Sequence, residues 1–253
     1  MKTLLSFFFA ASVFCSFSQG TWTQKASFPG GDRTYVASLS IGNYGYVGLG
    51  EYPLTTPHND WWEWDQSSNT WTQKANFPGA ARGNAATFSI NGKAYMGTGG
   101  VYSQGPFYND FWEFDPATNI WTQKANFGGT ARMLTISFSI GNKGYVGLGR
   151  TAGTGSFVKD FWEYDPTIDA WSQKSNFGGT AREGAWGFAI GTKGYVGVGG
   201  NGSYYNDFWE WDPATDSWSV KANFPGVARY CATGFAFSAT GYMGTGYNGT
   251  YQS

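Results

Sequence analysis

The segment TWTQKANFPGAAR (residues 70–82) recurs along the chain with small changes, and its spacing constrains the fold more than any other feature. Its tryptophans are Trp22, Trp71, Trp121, Trp171 and Trp218, separated by 49, 50, 50 and 47 residues, and Arg33, Arg82, Arg132, Arg182 and Arg229 step in the same way. A second block, NDFWEFDPATN, sets Asp60, Asp110, Asp160 and Asp207 in the same phase. Three landmarks in one register define a repeat protein, in which each unit buries its apolar faces only against its neighbours.

Each unit reads as four short strands. Strand a is the glycine-rich run (KAYMGTGG, 93–100), b is DFWEFD (110–115), c is IWTQKA (120–125) and d is ARMLTISFSI (131–140). The b–c link DPATN has the composition of a type I turn, and the d–a links NGK and GNK that of tight hairpins. The chain is 20% aromatic and holds 38 glycines in 253 residues, about twice ordinary glycine usage. Glycine costs a helix about 1 kcal/mol per site, so this composition favours short strands, and the fold class is all-β. One such sheet cannot bury two aromatic faces alone; radial stacking of units closes them into a β-propeller of four-stranded antiparallel blades. Glycine permits close backbone approach, which places strand a innermost.

An apolar run ending in glycines (Gly99, Gly100), an aromatic before Asp-Pro (Phe114, Asp115, Pro116), a tryptophan (Trp121) and an arginine before the next strand (Arg132) together resemble the kelch family, in phase along the whole chain after the leader. Several units carry a spaced Gly-x-Gly (48–50, 147–149, 244–246) in place of the glycine pair. Complete units fall at about 44–91, 94–141, 144–191 and 194–239, with partial c and d strands at 21–41 and a last a strand at 240–246. A closing blade built from the two ends would lack strand b. Either the ring has one defective blade or the chain is a piece of a larger propeller. The resemblance favours the second, since kelch propellers usually have six or seven blades.

Residues 1–18 read as a secretory leader: Lys2, the apolar run 4–17, and small residues Ser16 and Ser18 ahead of a cleavage point before Gln19. The run is too short to span a bilayer and no second one follows, so the expected location is secreted, periplasmic or cell-surface, with no membrane span. Loss of Lys2 takes the formal charge from −1 to −2, and no basic run offers a nucleic acid surface. Cys231 is then the sole cysteine of 19–253 and cannot form an internal disulfide.

The resemblance also admits enzymes, namely copper radical oxidases like galactose oxidase and sialic-acid mutarotases. One histidine, His58, and one cysteine in 19–253 cannot supply such a copper site. No spacing fits zinc or calcium, and GYVGLG lacks the following helix that a phosphate loop needs, so no cofactor is expected. Glu63, Glu113, Glu163 and Glu210 share one repeat position, as do the five arginines and the turn residues Asp65, Asp115, Asp165 and Asp212. A group present in every blade reads as architectural, and a single active site needs residues that differ between units. Glu183 and Trp186 do differ. Glu183 reads as an exposed variable position and Cys231 as a small core residue, which leaves no catalytic residue assigned.

Variation concentrates in the a–b loops EYPLTTPHN, VYSQGPFYN, RTAGTGSFVK and NGSYYN. They carry Tyr52, His58, Tyr102, Phe107, Tyr108, Arg150, Phe157, Tyr204 and Tyr205, the candidate ligand-binding residues. Variable loops on a fixed scaffold are where recognition sits, and tyrosine suits protein surfaces or sugar rings. The plainer account, that these aromatics cap blade edges, stands equal to it here. The expected function is non-catalytic recognition of a protein or glycan. A carbohydrate-acting isomerase and a fragment without independent function are the alternatives, and oligomeric state is open.

Overall fold

Every regular element among the described residues is a strand, and every sheet neighbour is antiparallel. The structure is a computed structural model describing residues 21–53, 56–102, 105–151 and 156–252. The expected leader, 1–18, lies outside them. Strands are numbered in chain order. The first sheet joins β1 (Ala37–Ile41), β2 (Tyr44–Gly48), β3 (Trp61–Asp65) and β4 (Thr70–Lys74). The second joins β5 (Ala86–Ile90), β6 (Lys93–Gly97), β7 (Phe111–Asp115) and β8 (Ile120–Lys124). A short pair, β9 (Arg132–Met133) with β12 (Arg150–Thr151), accompanies the third sheet of β10 (Ile136–Ile140), β11 (Lys143–Gly147), β13 (Phe161–Asp165) and β14 (Ala170–Lys174). The fourth joins β15 (Trp186–Ile190), β16 (Lys193–Gly197), β17 (Phe208–Asp212) and β18 (Ser217–Lys221), and a fifth holds only β19 (Thr233–Phe237) and β20 (Thr240–Gly244).

Two expectations change here. Each sheet begins one strand earlier than the divisions at 44, 94, 144 and 194, so its order is d-a-b-c and those divisions straddle two blades. The innermost strand is d, not a: β1, β5, β10, β15 and β19 pack side by side as successive neighbours. The glycine of strand a serves a different approach. A Cβ on Gly194 would lie 2.5 Å from the Phe138 ring of the preceding blade, and one on Gly241 2.5 Å from Phe188. The first blade presents the smaller Leu39 at that position, and there the second blade carries Ala94. At the N-terminal end, residues 21–28 form no strand, and among the described residues the fifth sheet holds no third strand beside them.

Three aromatic cores lie between consecutive complete blades. In the last, Tyr145 and Phe161 meet Trp211 at 4.9 and 5.0 Å between centroids, and Phe161 meets Trp218 at 5.2 Å. The repeated charges are architectural. Arg82, Arg132 and Arg182 are buried and grip Asp110, Asp160 and Asp207 through both guanidinium nitrogens at 2.5–2.9 Å. Arg33 holds Asp60 in the same way. Each aspartate also accepts the indole N–H of the tryptophan two residues on. The repeated glutamates accept tyrosine hydroxyls from strand a, as Glu163 does from Tyr145 at 2.9 Å. Asp65, Asp115, Asp165 and Asp212 accept a backbone N–H two residues on and tie the b–c turn. Burial alone would raise the Asp160 carboxyl; hydrogen bonds from Arg132 and Trp162 with the Arg132 charge outweigh it and hold the group below the ordinary aspartate range.

Candidate functional site

Two residues after each repeated arginine the backbone turns left-handed. Tyr35, Asn84, Leu134, Gly184 and Cys231 have φ of 58°, 57°, 55°, 58° and 52°. Amides link them between blades: Asn84 N–H donates to Tyr35 O (2.9 Å), Gly184 to Leu134 (3.1 Å) and Cys231 to Gly184 (2.8 Å). All five line one cavity of about 210 Å³ at the a–b end of the axis, with Thr135 and Trp186 also in its wall. Asn84 Nδ2, Thr135 Oγ1 and Trp186 Nε1 are buried and have no hydrogen-bond partner. Native proteins seldom leave such groups unpaired without a bound molecule or water to meet them.

Above this cavity, the residue after the arginine pairs with the residue after Gly-x-Gly through a short backbone bridge in every unit: Thr34 with Glu51, Gly83 with Gly100, Met133 with Arg150, Glu183 with Gly200, and Tyr230 with Tyr247. These are the places where the units differ most in charge. Glu51 is fully buried and accepts the Tyr102 N–H at 3.0 Å. Burial raises its carboxyl, and the Tyr102 amide offsets part of that rise. Glu183 is 9% exposed. Its Oε2 lies 3.2 Å from Arg150 Nε at an angle too poor for a hydrogen bond, so both atoms keep that capacity. Burial raises the Glu183 carboxyl and the Arg150 charge draws it partly back. Tyr102 stacks on Tyr35 at 5.1 Å, Arg150 lies 5.4 Å from the Tyr102 centroid, and Tyr204 stacks on Tyr230 at 5.5 Å. The result is a rim of two acids, one guanidinium and parallel aromatic faces around a hole of about 210 Å³ whose largely apolar wall holds three unpartnered polar atoms.

The nine loop residues separate into four groups. Tyr102, Arg150 and Tyr204 belong to the rim, with Phe107 6.0 Å from the Arg150 guanidinium. Tyr108 and Tyr205 are blade parts: their rings lie 3.9 and 4.0 Å from the guanidinium carbons of Arg82 and Arg182. His58 holds the equivalent place, its N–H donating to Gly50 O and its carbonyl accepting Arg82 N–H. Tyr52 is exposed on its own loop. Phe157 lines a larger cleft of about 790 Å³ between the third and fourth blades, whose acids Asp160 and Asp207 are already committed to arginines.

Two residues expected elsewhere belong to the site. Glu183 is buried rather than exposed, because its bridge to Gly200 turns it inward under Arg150. Cys231 is not a core residue: its left-handed backbone delivers it to the cavity wall. Its thiol is pushed up to about 12, by burial first and then by the Glu183 charge. Glu51, Asn84 and Thr135 carried no sequence expectation. The signal was present in the position after Gly-x-Gly, which reads Glu51, Gly100, Arg150, Gly200 and Tyr247 where its surroundings repeat. Among the described residues no group of three or more His, Cys, Asp or Glu side chains could hold a metal, and no helix is long and apolar enough to cross a membrane.

The solved structure of YjhT is similar to this chain, with a TM-score of 0.74 and 20% identity over 88% of this chain and 74% of that one. At that identity the likeness shows the fold, a β-propeller. No family model and no curated protein matches the sequence.

Proposed function

We propose that the chain is an exported, kelch-type recognition module whose channel mouth binds a small hydroxyl-rich ligand, the terminal sugar of a glycan. The observation that carries this reading is the set of buried, unpartnered polar atoms around one cavity: the Asn84 amide, the Thr135 hydroxyl and the Trp186 indole N–H, with Glu183 Oε2 beside them. Together they offer donors and acceptors in the mixture that vicinal hydroxyls require. The stacked pairs Tyr35–Tyr102 and Tyr204–Tyr230 add flat apolar faces at the rim. Export is supported by the apolar run at 4–17 behind Lys2. Calorimetric titration with a panel of mono- and disaccharides tests the reading. Binding that weakens at least tenfold in Trp186→Phe and Asn84→Ala is expected. Absence of binding across the panel, or unchanged affinity in both variants, would refute it.

One feature favours a second reading as a sugar isomerase. Glu51 and Glu183 are two buried carboxyls, both raised by burial, and Glu183 lies beside Arg150; raised acids suit proton transfer near neutral pH. Exchange spectroscopy on a reducing sugar decides it: catalysed anomer exchange that disappears in Glu183→Gln would replace the binding reading.

A further inference from the structure

The cleft of about 790 Å³ between the third and fourth blades is walled by the end of one a–b loop (157–160), by the c–d loop that follows it, and by Asp207 and Trp209 of the next blade. Two neighbours in this wall leave the repeat together. Val158 stands where the other blades carry His58, Tyr108 and Tyr205, and Lys159 where they carry Asn59, Asn109 and Asn206. The backbone is indifferent to both changes. Val158 N–H donates to Gly149 O at 3.0 Å as Tyr108 does to Gly99 at 2.9 Å, and Lys159 O accepts the Phe177 N–H at 2.8 Å as Asn59 O accepts that of Phe77. Folding therefore does not call for a lysine here. Lys159 is exposed, and among the described residues its ammonium meets no carboxylate and no other acceptor.

The rest of the wall is rich in free donors, while its charged acceptors are spent. Asp160 and Asp207 are gripped by Arg132 and Arg182, which cancel their charge, so Lys159 leaves the cleft with one net positive charge. Asn176 accepts from Gln173 Nε2 at 3.4 Å and keeps its own amide hydrogens. The Thr180 hydroxyl is unengaged, whereas Thr130 at the same place in the preceding unit accepts from Arg132 Nη2 at 3.2 Å. Among the described residues the amides of Gly178, Gly179, Thr180 and Ala181 also donate to no protein acceptor. We propose that this cleft is a binding site for a sulfate monoester carried on a sugar, with Lys159 as its counter-charge. The donors outnumber the four lone-pair sites of a carboxylate and suit the three free oxygens of a sulfate ester. A phosphate monoester carries about −1.5 to −2 at pH 7, and its second charge would face Asp160 and Asp207, whose side chains are 21% and 26% exposed; a sulfate ester holds one charge, which the single ammonium matches. The volume falls within the ~300–1,000 Å³ of small-molecule sites, and Phe157 and Trp209 supply apolar surface for the ring. No residue of this cleft lines the cavity at the channel mouth, so the two sites stand or fall separately.

Calorimetric titration with four probes on one sugar, glucose 6-sulfate, glucose 6-phosphate, glucuronate and glucose, tests the proposal. Glucose 6-sulfate is expected to bind with Kd below about 1 mM, and the phosphate and the carboxylate at least threefold more weakly. Lys159→Asn installs the residue of the other three blades and so keeps the fold; it should weaken glucose 6-sulfate at least tenfold and leave any binding of glucose itself unchanged. Thr180→Val, which copies Val227 of the next unit, should cost about threefold. Trp186→Phe, at the channel mouth, should not alter the affinity for glucose 6-sulfate. A Kd above about 1 mM, full affinity in Lys159→Asn, or equal or tighter binding of the phosphate or the carboxylate would each overturn the proposal. Loss of glucose 6-sulfate binding in Trp186→Phe but not in Lys159→Asn would do so as well, and would assign the ligand to the mouth instead.

Discussion

Gly194→Ala tests blade spacing directly. Gly194 has an ordinary backbone conformation, so alanine meets no torsional penalty, yet its Cβ would stand 2.5 Å from Cζ of Phe138. That ring has nowhere to go. It is buried, it stacks on Tyr145 at 5.6 Å and lies 6.0 Å from Phe161, and a Cβ on Gly187 would already come within 3.2 Å of its other edge. Overpacking of this kind costs typically 1–3 kcal/mol, so about 2 kcal/mol is expected. For a chain of this length that lowers Tm by roughly 4–8 °C. Phe138→Leu alone should cost about 1 kcal/mol as a swap between apolar side chains. The double variant reproduces the Leu39–Ala94 pairing that the first two blades already use, so it should cost little more than Phe138→Leu. Urea unfolding of the four proteins gives the coupling energy, expected near 2 kcal/mol in favour of the pair. Additive losses, with coupling below about 0.5 kcal/mol and an unchanged m-value, would refute the idea that glycine in strand a exists to admit the neighbouring ring.

Four further outcomes follow from the charges. Asp160→Asn leaves the buried Arg132 guanidinium with neutral partners only; because Asp160 is partly exposed, the loss should fall below the 3–5 kcal/mol typical of a fully buried pair, at about 2–3 kcal/mol in urea unfolding. Asp60, Asp160 and Asp207 are all held below the ordinary aspartate range in the folded chain. Their stabilisation is therefore complete above the unfolded value of about 3.9 and is lost as pH falls through the lower folded values, so Tm should drop steeply below about pH 4 and less steeply in a variant lacking one clamp. Glu51 is raised, the opposite sign, so its ionisation opposes folding as pH rises above the ordinary glutamate range; Glu51→Gln should be more stable than the parent at pH 7 and lose that advantage by pH 4. Cys231 is exposed at the cavity wall, and its thiol is pushed up by its surroundings and by the Glu183 charge, so it should react with iodoacetamide at pH 8 more slowly than a free thiol of pKa about 8.5, and faster in Glu183→Gln.

Architecture was legible because it is written five times. The common step of Trp, Arg and Asp, with turn residues between strands, suffices for antiparallel four-stranded units. Which strand faces the axis was not legible. Glycine in strand a marks a close approach, but a sequence cannot say whether the approaching atoms are another backbone or, as here, the Phe138 or Phe188 ring of the next blade over. The candidate site was half legible. Comparing loops between units found Tyr102, Arg150 and Tyr204. It also gathered Tyr108 and Tyr205, whose partners are the repeated arginines and which vary little in role. Glu51 and Glu183 escaped because their inward direction comes from a two-residue backbone bridge too short to leave a pattern.

The left-handed turn after each arginine bears on how such a molecule can change its specificity. Four of the five residues there are not glycine, and apart from Asn84, whose short amide side chain tolerates the shape, each pays roughly 1–2 kcal/mol for a backbone shape that glycine would adopt freely. Tyr35, Asn84, Leu134 and Cys231 thus occupy positions where folding alone would prefer no side chain at all. They also stand outside the aromatic cores between blades. The mouth of the channel therefore behaves as a ring of five interchangeable settings, one per blade, which selection can alter singly while the blades beneath stay as they are.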